Sequence, residues 1–332
     1  MNQTTIYKFL NLNNKLQVSS FMFQDSRHKP VLLKEIIEIL DPKPGEFFID
    51  GTYGGGGHSQ AILNCLGENG KLLVIDQDAT TARQFMISRH RFNNFSEGGI
   101  PPAAGQDPRF MFQVENFADL SYLLVKKGLP KADGLLLDLG ISSDQLDLSG
   151  KGFSFQRDEP LLMNINPELP SARDILQKLN EEELGKILWE YSQEKFSRRI
   201  ARSIKEQQRI KPIRTTKDLV ETIVRAVPKN YERGRIHPAT RTFLALRIYV
   251  NHELENLEKV LQDLLKILKS GGRIAIISFH SLEDRLVKNY FRDFQKADKL
   301  KILTKKPVIP SREESQNNPR ARSAKMRAAV VS

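Results

Sequence analysis

Phe47-Phe48-Ile49-Asp50-Gly51-Thr52-Tyr53-Gly54-Gly55-Gly56-Gly57-His58-Ser59-Gln60-Ala61-Ile62 joins a short apolar run to an acid, a glycine-rich turn and the start of a helical pattern. It reads as strand, loop and helix start. Glycines at such a junction tolerate positive φ and carry no Cβ, so backbone can lie against a ligand where the first helical N–H groups lack intrahelical acceptors. A second apolar run, Lys71 to Ile75, ends on Asp76, the place where α/β nucleotide binders set an acid on ribose hydroxyls. A plain glycine-rich surface turn is seldom flanked by two apolar runs that each end in an acid. No G-x-G-x-x-G can be laid out from Gly51, Gly54, Gly55 or Gly56, which argues against a dinucleotide. With no pyrophosphate to wrap, a methyl donor such as S-adenosylmethionine suits the loop better, because it needs only close backbone approach and a nearby carboxylate.

Two further strands extend the pattern. Arg109 to Val114 reads as the third, with Phe117 just beyond it, either over an adenine ring or in the core. Gly134 to Ser143 holds the fourth strand and its exit loop; its continuous apolar run suits a strand covered on both faces, hence a parallel sheet. Asp50, Asp76 and Asp138 would then meet at the carboxyl edge of that sheet, where α/β folds bind ligands. Ahead of the first strand, Val31 to Leu40 reads as an amphipathic helix. Residues 1–26 read as a disordered N-terminal extension, with Met22 an alternative start. A helical stretch is expected from Asp78 to about Phe92, and residues 93–106 have the composition of a surface loop.

From about 144 to 237 the strand-helix alternation gives way to helices and loops, the pattern of an inserted helical domain. Asn180 to Glu183 has capping-box spacing. Between Lys195 and Arg214 there are eight bases against one acid, Glu206; solvated faces are usually mixed in sign, so this reads as a phosphate-facing surface. A long helix is expected from His237, with Leu244, Ile248, Leu254, Leu257, Leu261, Leu264 and Leu268 on one side and Gly271-Gly272 closing it. Arg273 to Ile277 is the next strand. The Ser278 to Asp284 segment lacks the strained G-x-S-x-G elbow of a hydrolase triad, and His280 is read as a phosphate or base contact. The C-terminal stretch from Lys301 carries eight bases against two acids, a second polyanion-contacting candidate.

The 332 residues carry a formal net charge of +11, which favours a polyanionic partner, nucleic acid or anionic membrane. No apolar run approaches the roughly 20 residues of a membrane span. The single cysteine, Cys65, excludes internal disulfides and suits a reducing, cytoplasmic setting. The histidines show no zinc-type spacing, so no metal is expected.

In order along the chain, the motifs IDGTYGGGGHS (49–59), IDQD (75–78), LLLDLGISS (135–143), QLD (145–147), GFSF (152–155), HPATRTF (237–243), SFHSLEDR (278–285) and NPRARS (318–323) closely resemble those of the bacterial 16S ribosomal RNA cytosine-N4 methyltransferases. That family modifies the cytidine at position 1402 of the decoding site. The resemblance implies an α/β, Rossmann-like class I methyltransferase with a mostly parallel sheet, residues 27–143 plus 238–332, and an inserted helical substrate-binding domain, 144–237. It implies S-adenosyl-L-methionine as cofactor and 16S rRNA in the small ribosomal subunit as partner. Carried over by motif, the cofactor contacts are Gly56, Gly57, His58, Asp76, Phe117, Asp138 and Gln145. Leu162 and Asn164 stand where the family usually shows an acid and an arginine, and the 93–106 loop is longer than usual.

A cytosine amine is a weak nucleophile, so its catalyst must hold it in line with the sulfonium methyl and accept its protons. Asp138 and the carbonyls of Leu139 to Ser142 are the candidates. Methylation at carbon 5 would need a thiol, and Cys65 reads as core. The rivals are a nicotinamide dehydrogenase, a non-enzymatic ribosome assembly factor and a DNA cytosine-N4 methyltransferase; the last lacks its Asp/Ser/Asn-Pro-Pro-Tyr/Phe motif here.

Overall fold

The computed structural model describes residues 29–81, 108–231 and 236–332. The 1–26 extension, most of the stretch toward Phe92 and the 93–106 loop lie outside the described residues. Seven strands form one sheet: β1 (Phe47–Asp50), β2 (Lys71–Asp76), β3 (Phe110–Val114), β4 (Ala132–Asp138), β5 (Leu268–Ser278), β6 (Leu300–Ile302) and β7 (Lys325–Val331). Their order is β3-β2-β1-β4-β5-β7-β6, with β1 through β5 mutually parallel and β7 antiparallel to both β5 and β6. The chain runs outward from β1 to β3 and then returns to lay β4 on the other side of β1. That reversal opens a crevice at the carboxyl ends of β1 and β4, the switch point of a doubly wound sheet.

The apolar runs are continuous because helices cover both faces of the sheet. Alternation of period two still sorts the side chains. Phe48, Leu72, Val74, Leu136 and Ala275 pack beneath α1 (Leu33–Leu40) and α2 (Gly57–Cys65). Ile49, Leu73, Ile75, Leu135, Leu137 and Ile276 face the opposite layer of α3 (Leu120–Lys126) and later helices. The helix read over Val31 to Leu40 begins at Leu33, since Leu32 takes φ 55° at its start; Ile36 and Leu40 are its buried stripe. Burial of each such side chain contributes about 1.5–3 kcal/mol.

The helical layer has its own core. After α4 (Ser143–Leu148) come α5 (Ala172–Lys178), α6 (Glu181–Ser192), α7 (Ser197–Ile210) and α8 (Thr216–Ala226). They enclose Leu161, Met163, Leu176, Leu184, Leu188, Ile200, Ile204, Leu219 and Ile223. Ser171, Asn180 and Thr215 start three of these helices with full capping boxes, the expected one at Asn180 and Glu183 among them. Phe243, Leu246 and Val250 belong to the same core, so the helical unit extends beyond residue 237.

The long helix expected from His237 is three: α9 (Thr240–Val250), α10 (Glu253–Gln262) and α11 (Leu264–Ile267). The first break falls at Asn251 and His252, where His252 takes φ 51°. Asn251 accepts from the Ile165 N–H at 2.8 Å and donates to the Met163 carbonyl at 2.8 Å. A tertiary tie thus ends a helix whose leucine spacing alone would continue. Leu268 opens β5 rather than closing the helix, pairing with Ala132.

The basic C-terminal stretch is not a free tail. Its end is β7, with Met326, Ala328 and Ala329 fully buried beside β5. Arg327 donates to Asp284 at 2.7 Å, and Arg322 donates to the Ser315 carbonyl. On α7, Arg202 pairs with Glu181 and Lys211 with Asp218, while Lys205 donates to the carbonyls of Leu176 and Leu179 near the end of α5. Part of the charge read as phosphate-facing therefore joins helices. Asn164, buried, donates to the Leu169 carbonyl at 2.9 Å and closes its own loop.

Candidate active site

A cleft of about 410 Å³ opens at the switch point. Gly51, Thr52, Tyr53, Gly54 and Gly55 line its floor, with Asp76, Phe117 and Asp138 at the ends of their strands. The turn holds its shape through Gly56, which caps α2 with φ 75° and donates its N–H to the Tyr53 carbonyl at 2.8 Å. A Cβ at this position would meet the Tyr53 side chain at 2.6–2.8 Å. Gly56 itself does not line the cleft, in contrast to Gly57 and His58; its contribution is the curvature of the loop.

Three acids converge as the strand ends required. Asp50 is fully buried, accepting from the Ser59 hydroxyl at 2.6 Å and the Thr52 N–H at 3.1 Å. Burial pushes its carboxyl up to about 7 against those hydrogen bonds, and the Asp76 charge adds to the rise. Asp76 accepts from the N–H groups of Gly54 at 3.2 Å and Asp78 at 2.9 Å. Burial again dominates and raises it to about 6. At Asp138 burial, then the charges of Asp50 and Glu283, raise the carboxyl to about 8. Its Oδ1 is buried with no hydrogen-bond partner among the described residues.

His58 is buried on the first turn of α2. Its Nε2 lies 2.9 Å from the Val31 carbonyl, which can only accept, so Nε2 carries the proton. That leaves Nδ1 facing Asp138 Oδ2 at 3.6 Å, too far for a hydrogen bond. Gln145 is buried and committed: its Nε2 donates to Asp78 Oδ2 at 2.9 Å and its Oε1 accepts from the Ser142 N–H. It ties the loop after β4 to the loop after β2. Burial opposes ionisation of Asp78, but bonds from Gln145 and Thr80 and the Lys151 charge outweigh it, so its pKa is lowered. Phe117 is half-buried against the core and also lines the cleft.

The far wall was not legible as a site. Asn251, Glu253 and Asn256 from the α9–α10 break line it, with Glu283 from α12 (Ser281–Lys296) and Asn318 and Arg320 from the C-terminal segment. Arg247 grips Glu253 through two bonds, 2.8 and 2.9 Å. His280 caps α12, its Nδ1 accepting from the Glu283 N–H at 3.4 Å. Glu283 accepts from the Phe279 N–H at 2.8 Å; burial works against its charge, but His280 and Arg247 prevail and its pKa is lowered. Folding brings Glu253, His280 and Glu283 within 4.8 Å of one another, though histidine spacing gave no metal signal. Glu253 is engaged by Arg247, and Glu283 Oε2 and His280 Nδ1 by the helix cap. The only available signals were the SFHSLEDR motif and the helix-breaking potential of Asn251-His252, neither of which names a role.

The cleft fits a compact cationic nucleoside donor. It offers an acid at the end of β2, an aromatic beyond β3, a glycine turn and one buried acceptor lacking a partner. Fold and site together define a Rossmann-like, S-adenosylmethionine-dependent methyltransferase. The profile of the MraW methylase family matches residues 25–331. Over 322 residues the chain is 42% identical to the ribosomal RNA small subunit methyltransferase H of Trichlorobacter lovleyi, covering 92% of this chain and 98% of that one. The protein of the same name from Hydrogenovibrio crunogenus is 44% identical over 320 residues, 92% and 96% of the two chains. That from Syntrophobacter fumaroxidans is 40% identical over 317 residues, 91% and 95%. The chain belongs to the MraW methylase family.

Proposed function

We propose that this protein transfers the methyl group of S-adenosylmethionine to the exocyclic N4 of the cytidine at position 1402 of 16S rRNA, acting in the cytoplasm on the small ribosomal subunit. The observation that carries the chemical part is the unpartnered, buried Asp138 Oδ1 at the cleft floor. A carboxylate there is an acceptor aimed at where an amine must shed its protons. The full-length match to small-subunit rRNA methyltransferases supports the substrate.

When bound, the cofactor supplies an electrophilic methyl on a positively charged sulfur. Gly57 and His58 at the start of α2, Asp76 toward the ribose and Phe117 toward the adenine would hold it. Gln145 acts through Asp78, fixing the β2 exit loop. Asp138 ionises more readily beside positive charge, and Oδ1 then accepts an N–H of the amine while Nδ1 of His58 stands behind Oδ2. Attack at carbon 5 would require a thiol in the cleft; Cys65 ends α2 and does not line it.

Mass spectrometry of 16S rRNA from a strain lacking the protein tests this. The N4-methyl at that cytidine should vanish and return when the gene is restored, but not with Asp76→Ala. A methylated cytidine persisting in the deletion strain would overturn the assignment.

A further inference from the structure

The C-terminal bases sort into two groups once their partners are known. Arg327 and Lys325 are held by Asp284, and Arg322 by the Ser315 carbonyl. Arg320 alone among these four lines the cleft. It sits in the one-turn segment Pro319–Ser323, on a wall anchored to the opposite end of the chain: Asn318 donates to the Lys29 carbonyl at 3.2 Å, and Glu314 accepts from the Leu32 N–H at 2.8 Å. Across the mouth, Arg320 Nη2 meets Asp147 Oδ2 of α4 at 2.5 Å, with the two side chains 38% and 50% exposed.

A half-exposed pair contributes little to stability, so it opens at small cost. Asp147 engages a single nitrogen of a guanidinium built to grip two oxygens at once, and the remaining N–H groups have no partner among the described residues. Asp147 itself stands in the cleft lining and offers the oxygen geometry of an incoming anion. Building on the methyl-transfer reading above, we infer that Arg320 is the anion-positioning residue of the cleft, and that Asp147 is a placeholder which an oxyanion of the ligand displaces. Two ligand groups share that chemistry: a phosphate flanking the target nucleoside in the RNA, and the carboxylate of the methyl donor.

The test compares full-length wild type with Arg320→Gln, Arg320→Lys and Asp147→Asn. Donor affinity is measured by calorimetry without RNA, and affinity for a decoding-site RNA fragment across salt concentrations. If Arg320 receives an anion, the two neutralising substitutions must act in opposite directions: R320Q weakens binding on the order of tenfold, D147N tightens it, and R320K falls between. The phosphate arm predicts these changes in RNA affinity, with the salt slope falling by about 0.7 in R320Q. The carboxylate arm predicts them in donor affinity, with the RNA salt slope unchanged. If R320Q and D147N weaken binding alike, or neither changes either affinity, the pair is only a clasp and the inference is wrong. Thermal unfolding of each variant separates a binding loss from a folding loss, and D147N, expected to gain affinity, does not depend on that distinction. A wild-type protein that fails to methylate 16S rRNA within the small ribosomal subunit would instead refute the function proposed above.

Discussion

Replacing Gly56 with alanine perturbs the cofactor turn in two separable ways. The residue has φ 75°, a left-handed conformation that costs a residue with a Cβ about 1–2 kcal/mol. The new methyl would also fall 2.6 Å from the Tyr53 hydroxyl oxygen and 2.7–2.8 Å from two of its ring carbons, and that ring is half of an edge-to-face pair with Phe112 at 5.5 Å. Forcing a packed ring aside costs about 1–3 kcal/mol more, so the substitution should cost roughly 2–5 kcal/mol in all. Gly54 supplies the control, with φ 52° but nothing within 4 Å of its would-be Cβ; Gly54→Ala should pay only the backbone strain, about 1–2 kcal/mol. For a chain of this size each kcal/mol moves Tm by about 1.5 °C, so thermal unfolding resolves the two variants. A Tyr53→Ala background should reduce the Gly56→Ala cost to the backbone part, and the cycle gives a coupling of about 1–3 kcal/mol. Equal losses for Gly56→Ala and Gly54→Ala, or a coupling of zero, would refute the claim that the close approach of Tyr53 restricts position 56 beyond its backbone strain.

Three further outcomes follow from the same geometry. Asp50, Asp76 and Asp138 titrate near 7, 6 and 8, all above their ordinary value; a raised acid stabilises the fold fully below about 4 and loses that contribution as pH rises through its folded value. Their joint contribution to donor-free Tm should therefore decline from about pH 4 up to 8, while affinity for a cationic donor climbs between about pH 6 and 8 with measurable proton release; a pH-independent affinity contradicts the cluster. Asp76→Asn should weaken donor binding at least tenfold (~1.4 kcal/mol or more) by calorimetry, because it removes a charged acceptor, and should also lower Tm, because the amide can accept only one of the Gly54 and Asp78 N–H bonds. Asn251→Ala strands the Ile165 N–H and the Met163 carbonyl and should cost roughly 2–4 kcal/mol in urea unfolding; a loss below 0.5 kcal/mol would mean the α9–α10 break is set elsewhere.

The near half of the site was legible because its determinants are local. The acids that end β1, β2 and β4, the glycine turn and Phe117 all lie within a few residues of a strand end, and parallel pairing carries every such end to one edge. The helical character of the stretch after β4 was legible from the loss of strand-helix alternation, and the cap at Asn180 from its four-residue spacing, whereas those at Ser171 and Thr215 were not. Ser59 was passed over although it anchors Asp50 at 2.6 Å, because a serine on an early helical turn gives no sign of which way it points.

What the sequence determined alone is therefore the doubly wound class, the sheet edge at which the acids and the glycine turn meet, and the basic character of the chain, since these depend on periodicity and on residues near each other in the chain. What only the tertiary structure decided is everything made by contacts between distant segments. Asn251 ends a helix by bonding to residues near 164, and Arg247 and Glu253 press the new helix start against the cleft. The basic C-terminus becomes a buried strand between β5 and β6, leaving Arg320 to face Asp147 across 173 positions of chain. Spacing encodes which residues share a face of an element; it does not encode which remote polar group completes a hydrogen bond, and in this protein those bonds place half of the active site.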